Sequence, residues 1–312
     1  MKYIVGVDGG GTKTEVVVCD INGNVISRRI GGSSNPNDIG NDNMLKVVGD
    51  LIEKVLPTDC DCVDIGLGIS GIFTAGSEDF LINGLKARFS VFDRIKAYSD
   101  KDSALNCAYD GDGCIVIIGT GSVGLVSKGN SVKTIGGGGY LVDNALSGFD
   151  LGREVLNAVL CANDGIGEET VLTELFYDKT GENIREHLKV VYQKGKAYVA
   201  SFAPLMFTAL EKGDIIAENA MKKCVYGFEK LLLAVYNAWG KEKCEITFFG
   251  GLAKQMDVIK TFLSDGIKEK IIMKLPDSPI IYGLIKGFIR VKNTEFNANF
   301  KKTYNGIKEV KE

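Results

Sequence analysis

The chain opens on an unbroken apolar run, Tyr3-Ile4-Val5-Gly6-Val7. Asp8-Gly9-Gly10-Gly11-Thr12-Lys13-Thr14 follows, and then a second run, Glu15-Val16-Val17-Val18-Cys19. β-branched residues on both sides of three glycines predict strand, tight turn, strand. Asn22-Gly23 between further β runs predicts a third antiparallel strand over 25–30. Residues 31–37, Gly-Gly-Ser-Ser-Asn-Pro-Asn, form a polar loop. Apolar positions 44, 45, 47, 48, 51, 52, 55 and 56 recur at helical spacing until Pro57 stops the helix. A buried strand over 63–69, a helix over 80–89, a strand over 95–98 and a helix over 103–109 come next.

The opening pattern then returns. Ile115-Val116-Ile117-Ile118 runs into Gly119-Thr120-Gly121-Ser122-Val123-Gly124, strand resumes over 125–128, and Lys128-Gly129-Asn130 mirrors Asn22-Gly23-Asn24. Strand, Gly/Thr/Ser turn, strand, met twice one domain length apart, reads as an internal duplication. Helical patterns over 151–163, 168–178, 183–193, 196–212 and 215–239 fill the second half. Ile246-Thr247-Phe248-Phe249 is a last buried strand ending in Gly250-Gly251, and Ser278 to Gly283 leads into one more helix. We therefore expect an N-terminal domain over 1–112, joined by the terminal segment 294–312, and a second domain over 113–293.

At 312 residues the chain is long enough for two domains. Hydrophobic content of 45% with 25% charged residues suits a soluble globular enzyme. A net charge of −3 supplies no basic face, which argues against nucleic acid as a partner. No cationic leader precedes the first strand and no apolar run nears the ~20 residues of a membrane span, so a cytoplasmic protein without membrane partners is expected. Eight cysteines, mostly single and within apolar stretches, suit reduced thiols. His187, the one histidine, falls in a polar helical pattern and is expected at the surface, with no metal set around it.

The glycines carry the chemistry. Walker A and dinucleotide loops each need a helix after the glycines, whereas Gly9-Gly10-Gly11 stands between two strands. Gly-Lys-Ser/Thr is missing too, since Thr12 separates Gly11 from Lys13. A turn without side-chain bulk still lets phosphate oxygens reach backbone N–H groups, and Asp8 at the strand end could hold a hydrated Mg²⁺. Each turn could also be purely structural, and Lys13 could meet phosphate or solvent. The two turns as a matched pair favour a phosphate-binding role.

Asp-Gly-Gly-Gly-Thr-Lys-Thr resembles the first phosphate loop of the actin, Hsp70 and sugar-kinase superfamily. Within that superfamily the chain is similar to the N-acetylglucosamine kinase and benzoyl-CoA-reductase-type (BadF/BadG/BcrA/BcrD) ATPase family, over nearly its whole length. The resemblance implies an α/β fold of two ribonuclease-H-like, actin-like ATPase domains, with ATP and substrate in the cleft between them. It implies phosphates bound at Gly9, Gly10, Gly11 and Thr12 and at Gly119, Thr120, Gly121 and Ser122, with adenosine against Gly250 and Gly251. Asp8 would hold Mg²⁺. Asp100, where a strand yields to an Ala-Leu helix, would be the general base; the residue could equally cap that helix, and Asp102 competes for the role. Asn35, Ser70, Gly71, Thr120 and Gly121 stand where amino-sugar kinases hold their sugar, and a homodimer through the second domain would be usual.

Residues 136–154 align with the family run Gly-Gly-Trp-Gly, then Gly-Asp-Glu-Gly-Ser-Gly, then helix, with two departures. Gly138 replaces the tryptophan, and Asp143-Asn144-Ala145-Leu146 replaces Gly-Asp-Glu-Gly. Gly138 and Asn144 thus stand at sugar-contacting places, and loss of the indole would make room for a bulkier sugar such as N-acetylmuramic acid. The expected activity is ATP-dependent phosphorylation of N-acetylglucosamine or N-acetylmuramic acid. Two other readings share these motifs: an ATPase that drives change in a partner, and a non-catalytic sugar sensor. Some relatives share an iron–sulfur cluster between subunits; Cys60-Asp61-Cys62 is the sole close thiol pair and no Cys-x-x-Cys occurs, which weakens the partner-driving reading.

Overall fold

A computed structural model describes residues 1–289, 294–307 and 310–311. In chain order the first elements are β1 (Lys2–Gly9), β2 (Thr14–Asp20), β3 (Val25–Gly31), α1 (Pro36–Ile39), α2 (Asn41–Val55), β4 (Cys62–Ile69), α3 (Glu78–Arg88), β5 (Phe92–Ala97) and α4 (Asp100–Ala108). There follow β6 (Gly113–Ile118), β7 (Ser122–Lys128), β8 (Ser131–Gly136), α5 (Gly148–Asn163), α6 (Val171–Thr180), α7 (Ile184–Ala200), α8 (Ala203–Glu211), α9 (Ile215–Trp239), β9 (Cys244–Phe249), α10 (Met256–Thr261), α11 (Asp265–Lys270) and β10 (Ile271–Lys274). The chain ends with α12 (Ile281–Lys286), α13 (Thr294–Gly306) and β11 (Val310–Lys311). Two compact units result, one of Met1–Asp110 with Pro276–Glu312 and one of Gly111–Leu275. The sequence reading had residues 276–293 in the second domain; α12 in fact packs on β1, β4 and α4.

In the first unit the sheet order is β11-β3-β2-β1-β4-β5, with β1 antiparallel to β2 and parallel to β4. Alternation along β1 sends Tyr3, Val5 and Val7 to a core shared with α2 and α3, while Ile4 joins α12 and α13 on the opposite face. Both faces are therefore buried, which is why β1 reads as an unbroken apolar run. Glycines let α12 approach: a Cβ on Gly66 would stand 2.5 Å from the Leu284 carbonyl oxygen.

The second unit repeats the plan, with order β10-β9-β6-β7-β8, β6 antiparallel to β7 and parallel to β9. The 25-residue α9 begins behind Asp214, whose Oδ1 accepts from Ala217 N, and stops at Gly240 in the left-handed region. Strands β8 and β10 were missed in the sequence, β8 because most of its residues are exposed. The break expected between 193 and 196 is a kink at Gly195 (φ 67°, ψ −155°) inside α7, and the helix expected over 196–212 divides at Ser201–Phe202.

His187 corrects its sequence expectation. It is buried, with Nδ1 2.6 Å from Glu182 Oε2 and Nε2 2.6 Å from Tyr198 Oη, and Phe176 and Phe202 meet its ring edge-on. Glu182 and Tyr198 approach from either side of the Gly195 kink, a pairing that sequence spacing does not reveal. All eight cysteines are free thiols, and no described helix is long and apolar enough to cross a membrane.

Adding one methyl group under α12 tests how tightly that helix is seated. Gly66→Ala should lower stability by about 2 kcal/mol, as overpacking typically does, read as a lower urea midpoint with unchanged slope. An unchanged midpoint would mean that α12 shifts without cost.

Candidate active site

The first glycine turn is braced from two sides. Gly10 N donates to Lys13 O (2.9 Å), Ser34 N and Ser33 Oγ both donate to Gly10 O (3.1 Å each), and Ser70 N donates to Gly9 O (2.8 Å). Thr14 Oγ1 donates to Gly32 O at 2.7 Å. The turn, the Ser33-Ser34-Asn35 loop and Ser70-Gly71 are thus one assembly. Asn35 caps α1 by accepting from Asn37 N, and a Cβ on Gly71 would stand 2.4 Å from Asn35 Oδ1. Ser34 was overlooked in the sequence: it is fully buried, and its Oγ takes no partner among the described residues.

Asp8, the penultimate residue of β1, stands directly opposite Glu15 of β2. Burial first, then the charges of Glu15 and Asp100, push the Asp8 carboxyl up to about 6, with Lys13 opposing. The charge of Asp100 is thus felt at Asp8. The α4 N-terminus separates the roles of its two aspartates. Ser99 is the N-cap, accepting from Asp102 N, and Asp102 Oδ2 closes the capping box by accepting from Ser99 N (3.4 Å), with a further bond from Ser99 Oγ (2.7 Å). Asp102 is thus spent on the helix terminus. Asp100 is not the cap; the residue is exposed, and partial desolvation raises its carboxyl.

In the second unit, Gly119 N donates to Gly121 O (2.8 Å), while Gly148 N and Phe149 N donate to Gly119 O and Thr120 O (2.7 and 3.1 Å). The start of α5 thereby holds the second turn. A Cβ on Gly250 (φ 97°) would stand 2.3 Å from Ile118 O, so Gly250-Gly251 lies against that turn. Space is open where side chains would stand on Gly119, Gly121 and Gly251, and Ser122 Oγ is buried without a partner among the described residues.

The loop that departs from the family run leads from β8 back to this turn. Gly139 N donates to Asp143 Oδ2 (3.2 Å), and Val142 N and Asp143 N donate to Gly139 O. Tyr140 packs on Phe149 with ring centroids 4.7 Å apart. A Cβ on Gly138 would stand 2.9 Å from Val142 Cγ2, so Val142 already occupies part of the room expected there. Asn144 is exposed, and its carbonyl abuts Gly227 of α9. Leu146, where the family run has glycine, is buried at φ 56°, the one non-glycine with positive φ among the described residues.

These features fit a nucleotide and its cation. The open glycines admit phosphate oxygens, the orphaned hydroxyls of Ser34 and Ser122 lie beside the turns, and the charges of Glu15 and Asp100 outweigh that of Lys13 at Asp8, a balance that a cation would redress. Among the described residues no three metal-ligating side chains converge, so a cation at Asp8 would draw its other ligands from phosphate and water, as Mg²⁺ usually does.

A family model described as the BadF/BadG/BcrA/BcrD ATPase family matches residues 5–287. The chain belongs to that family, and its fold is accordingly a pair of ribonuclease-H-like α/β units of the actin-like ATPase type. It is 27% identical over 300 residues to an N-acetylmuramic acid/N-acetylglucosamine kinase of Clostridium acetobutylicum, covering 90% of this chain and 94% of that one. Identity is also 27% over 302 residues to an N-acetyl-D-glucosamine kinase of Dictyostelium discoideum, with 90% and 93% covered. A candidate N-acetylglucosamine kinase from Chromobacterium violaceum superposes with a TM-score of 0.73 at 24% identity, over 91% of this chain and 98% of that one, a likeness of fold.

Two measurements probe this geometry. Asp8 has a folded-state value above its unfolded 3.8, so its favourable contribution is full below about pH 4 and is lost as pH rises through about 6. In metal-free protein, Asp8→Asn should leave stability unchanged at pH 4 and raise it by up to about 3 kcal/mol at pH 8, at about 1.4 kcal/mol per pKa unit. A gain independent of pH would refute the assigned burial. For Leu146→Gly, relief of about 1–2 kcal/mol of backbone strain competes with about 2–5 kcal/mol for emptying a core site. We expect a net loss, seen as a lower melting temperature; a rise would mean that strain dominates.

Proposed function

We propose that the chain is an amino-sugar kinase that transfers the γ-phosphoryl group of ATP to a hydroxyl of N-acetylglucosamine, N-acetylmuramic acid or both. The observation that carries this reading is the division of labour at the start of α4. Asp102 serves the capping box, which leaves the Asp100 carboxylate, whose charge is felt at Asp8, free to face a substrate.

Asp100 accepts the proton of the sugar hydroxyl late in the reaction, as the new O–P bond forms and the bond between the γ-phosphorus and the β,γ-bridging oxygen breaks. An ordinary or slightly raised carboxylate suffices, because the hydroxyl loses its proton only once phosphorus has taken its electrons. Backbone N–H groups of Gly9 to Thr12 and of Gly119 to Ser122 bind phosphate oxygens, joined by the Ser122 hydroxyl. Gly250-Gly251 leaves bare backbone for adenosine. Mg²⁺, when bound at Asp8, supplies neutralisation of phosphate charge. Asn35 and the Ser70-Gly71 pair hold the sugar in the first unit; Gly138 and Asn144 belong to the loop that sets its identity. The working form is a cytoplasmic homodimer.

ADP release from ATP and Mg²⁺ should rise several-fold or more with N-acetylglucosamine or N-acetylmuramic acid and not with glucose. Asp100→Asn should lose 10²–10⁴-fold in kcat, the usual range for a general base, with the KM for ATP little changed. Turnover indifferent to every sugar would overturn the kinase reading in favour of a partner-driving ATPase. Sugar binding without turnover would favour a sensor.

A further inference from the structure

One face of the first sheet carries a row of charged groups whose spacing serves no obvious packing purpose. Asp8 pairs with Glu15 across β1 and β2, and Glu15 and Arg28 lie on the same face of β2 and β3, two residues apart in register. Carboxylates directly opposite one another on a sheet repel. This pair is nonetheless built with care, because Glu15 is buried and fixed. Its Oε1 accepts from Arg28 Nε and from Tyr304 Oη of α13, each at 2.6 Å, and the Arg28 guanidinium lies 4.5 Å from the centre of the Tyr304 ring. Its other oxygen, Oε2, takes no partner among the described residues. A like-charge pair in which Asp8 is half-buried and Glu15 is buried and clamped by two hydrogen bonds, with an acceptor left over, suits a place where a cation and its water complete the charge balance.

We infer that Glu15 is a positioning residue for the cation at Asp8: clamped by Arg28 and by Tyr304 of the C-terminal helix, it accepts through Oε2 a hydrogen bond from a cation-bound water. Mg²⁺-type ions keep several waters, and the groups that hold those waters tune affinity. Arg28 cancels part of the Glu15 charge, which keeps the empty row tolerable. Tyr304 provides a hydroxyl donor and, through its ring, a surface that orients Arg28. The last helix thereby belongs to the catalytic apparatus through Tyr304. The inference rests on the assignment of the cation to Asp8 made above.

The test is the binding of Mn²⁺ in the presence of saturating ADP, followed by the electron paramagnetic resonance of free Mn²⁺, so that no turnover is needed. Asp8→Asn, Glu15→Gln and Tyr304→Phe are compared with wild type. Calorimetric ADP binding without metal serves as the control for an intact nucleotide site. Removing an outer group of a metal site typically costs 10–100-fold in affinity, and that loss is expected for Glu15→Gln. Tyr304→Phe, which keeps the ring on Arg28 and frees Glu15, should lose several-fold, with ADP affinity unchanged in both. If Asp8→Asn abolishes Mn²⁺ binding while Glu15→Gln and Tyr304→Phe stay within twofold of wild type, Glu15 is structural and the inference falls. If Asp8→Asn itself binds Mn²⁺ normally, the assignment of the cation to Asp8 falls instead. Should Glu15→Gln fail to fold, Tyr304→Phe alone decides, because it removes one hydroxyl and no charge.

Discussion

The carboxylate of Asp8 is half-buried, and the charges of Glu15 and Asp100 act on it against the weaker opposition of Lys13. Much of the first unit can be understood as the scaffolding that makes this tolerable. The β1–β2 hairpin fixes Asp8 opposite Glu15; Arg28 and Tyr304 secure Glu15; the capping box of α4 keeps Asp102 occupied and leaves Asp100 out of the cap. Backbone hydrogen bonds from the Ser33-Ser34 loop and from Ser70 hold the adjacent glycine turn in shape before any ligand arrives. Preorganisation of this kind is what phosphoryl transfer asks of a protein, since most of the catalysis lies in positioning and charge neutralisation.

The second unit solves the same problem with other means. Its strands follow the same order, and its turn also joins two antiparallel strands, yet the bracing comes from the amino end of α5 and not from a serine loop. Gly250 closes the far side by packing on the Ile118 carbonyl, which brings the end of β9 against the turn after β6. In both units a hydroxyl is buried without a partner, Ser34 in one and Ser122 in the other. A shared plan with independent local solutions is what an old duplication would leave.

Most of this frame could be read from the chain because its signals are local. Strand, turn and strand at 3–20 and at 115–128 follow from β-branched runs around glycine, and the two α7 segments from an interrupted period. What could not be read depends on chain segments that meet only after folding. Glu15 looks like the outward residue of an ordinary strand until Tyr304, almost three hundred residues on, arrives to bind it. His187 sits in a polar stretch, and its burial comes from partners across a kink. The capping role of Asp102, by contrast, was present as Ser99-x-x-Asp102, a pattern that weighs against Asp100 as the cap.

The first unit is discontinuous: residues 1–110 supply the sheet, and the segment from Pro276 onward supplies the cover for one of its faces. Ile4, Val17, Cys19 and Val25 are buried by Ile281, Leu284, Phe296 and Phe300. During synthesis those partners appear only after the whole second unit has been made. At ~5–20 residues per second, a freshly made β1–β3 sheet waits on the order of ten seconds or more with an apolar face uncovered. The second unit is continuous and can close its own core as an insertion in the meantime. The first unit can complete its packing only after the second has been synthesised, so the covering of its sheet waits on the docking of the C-terminal helices.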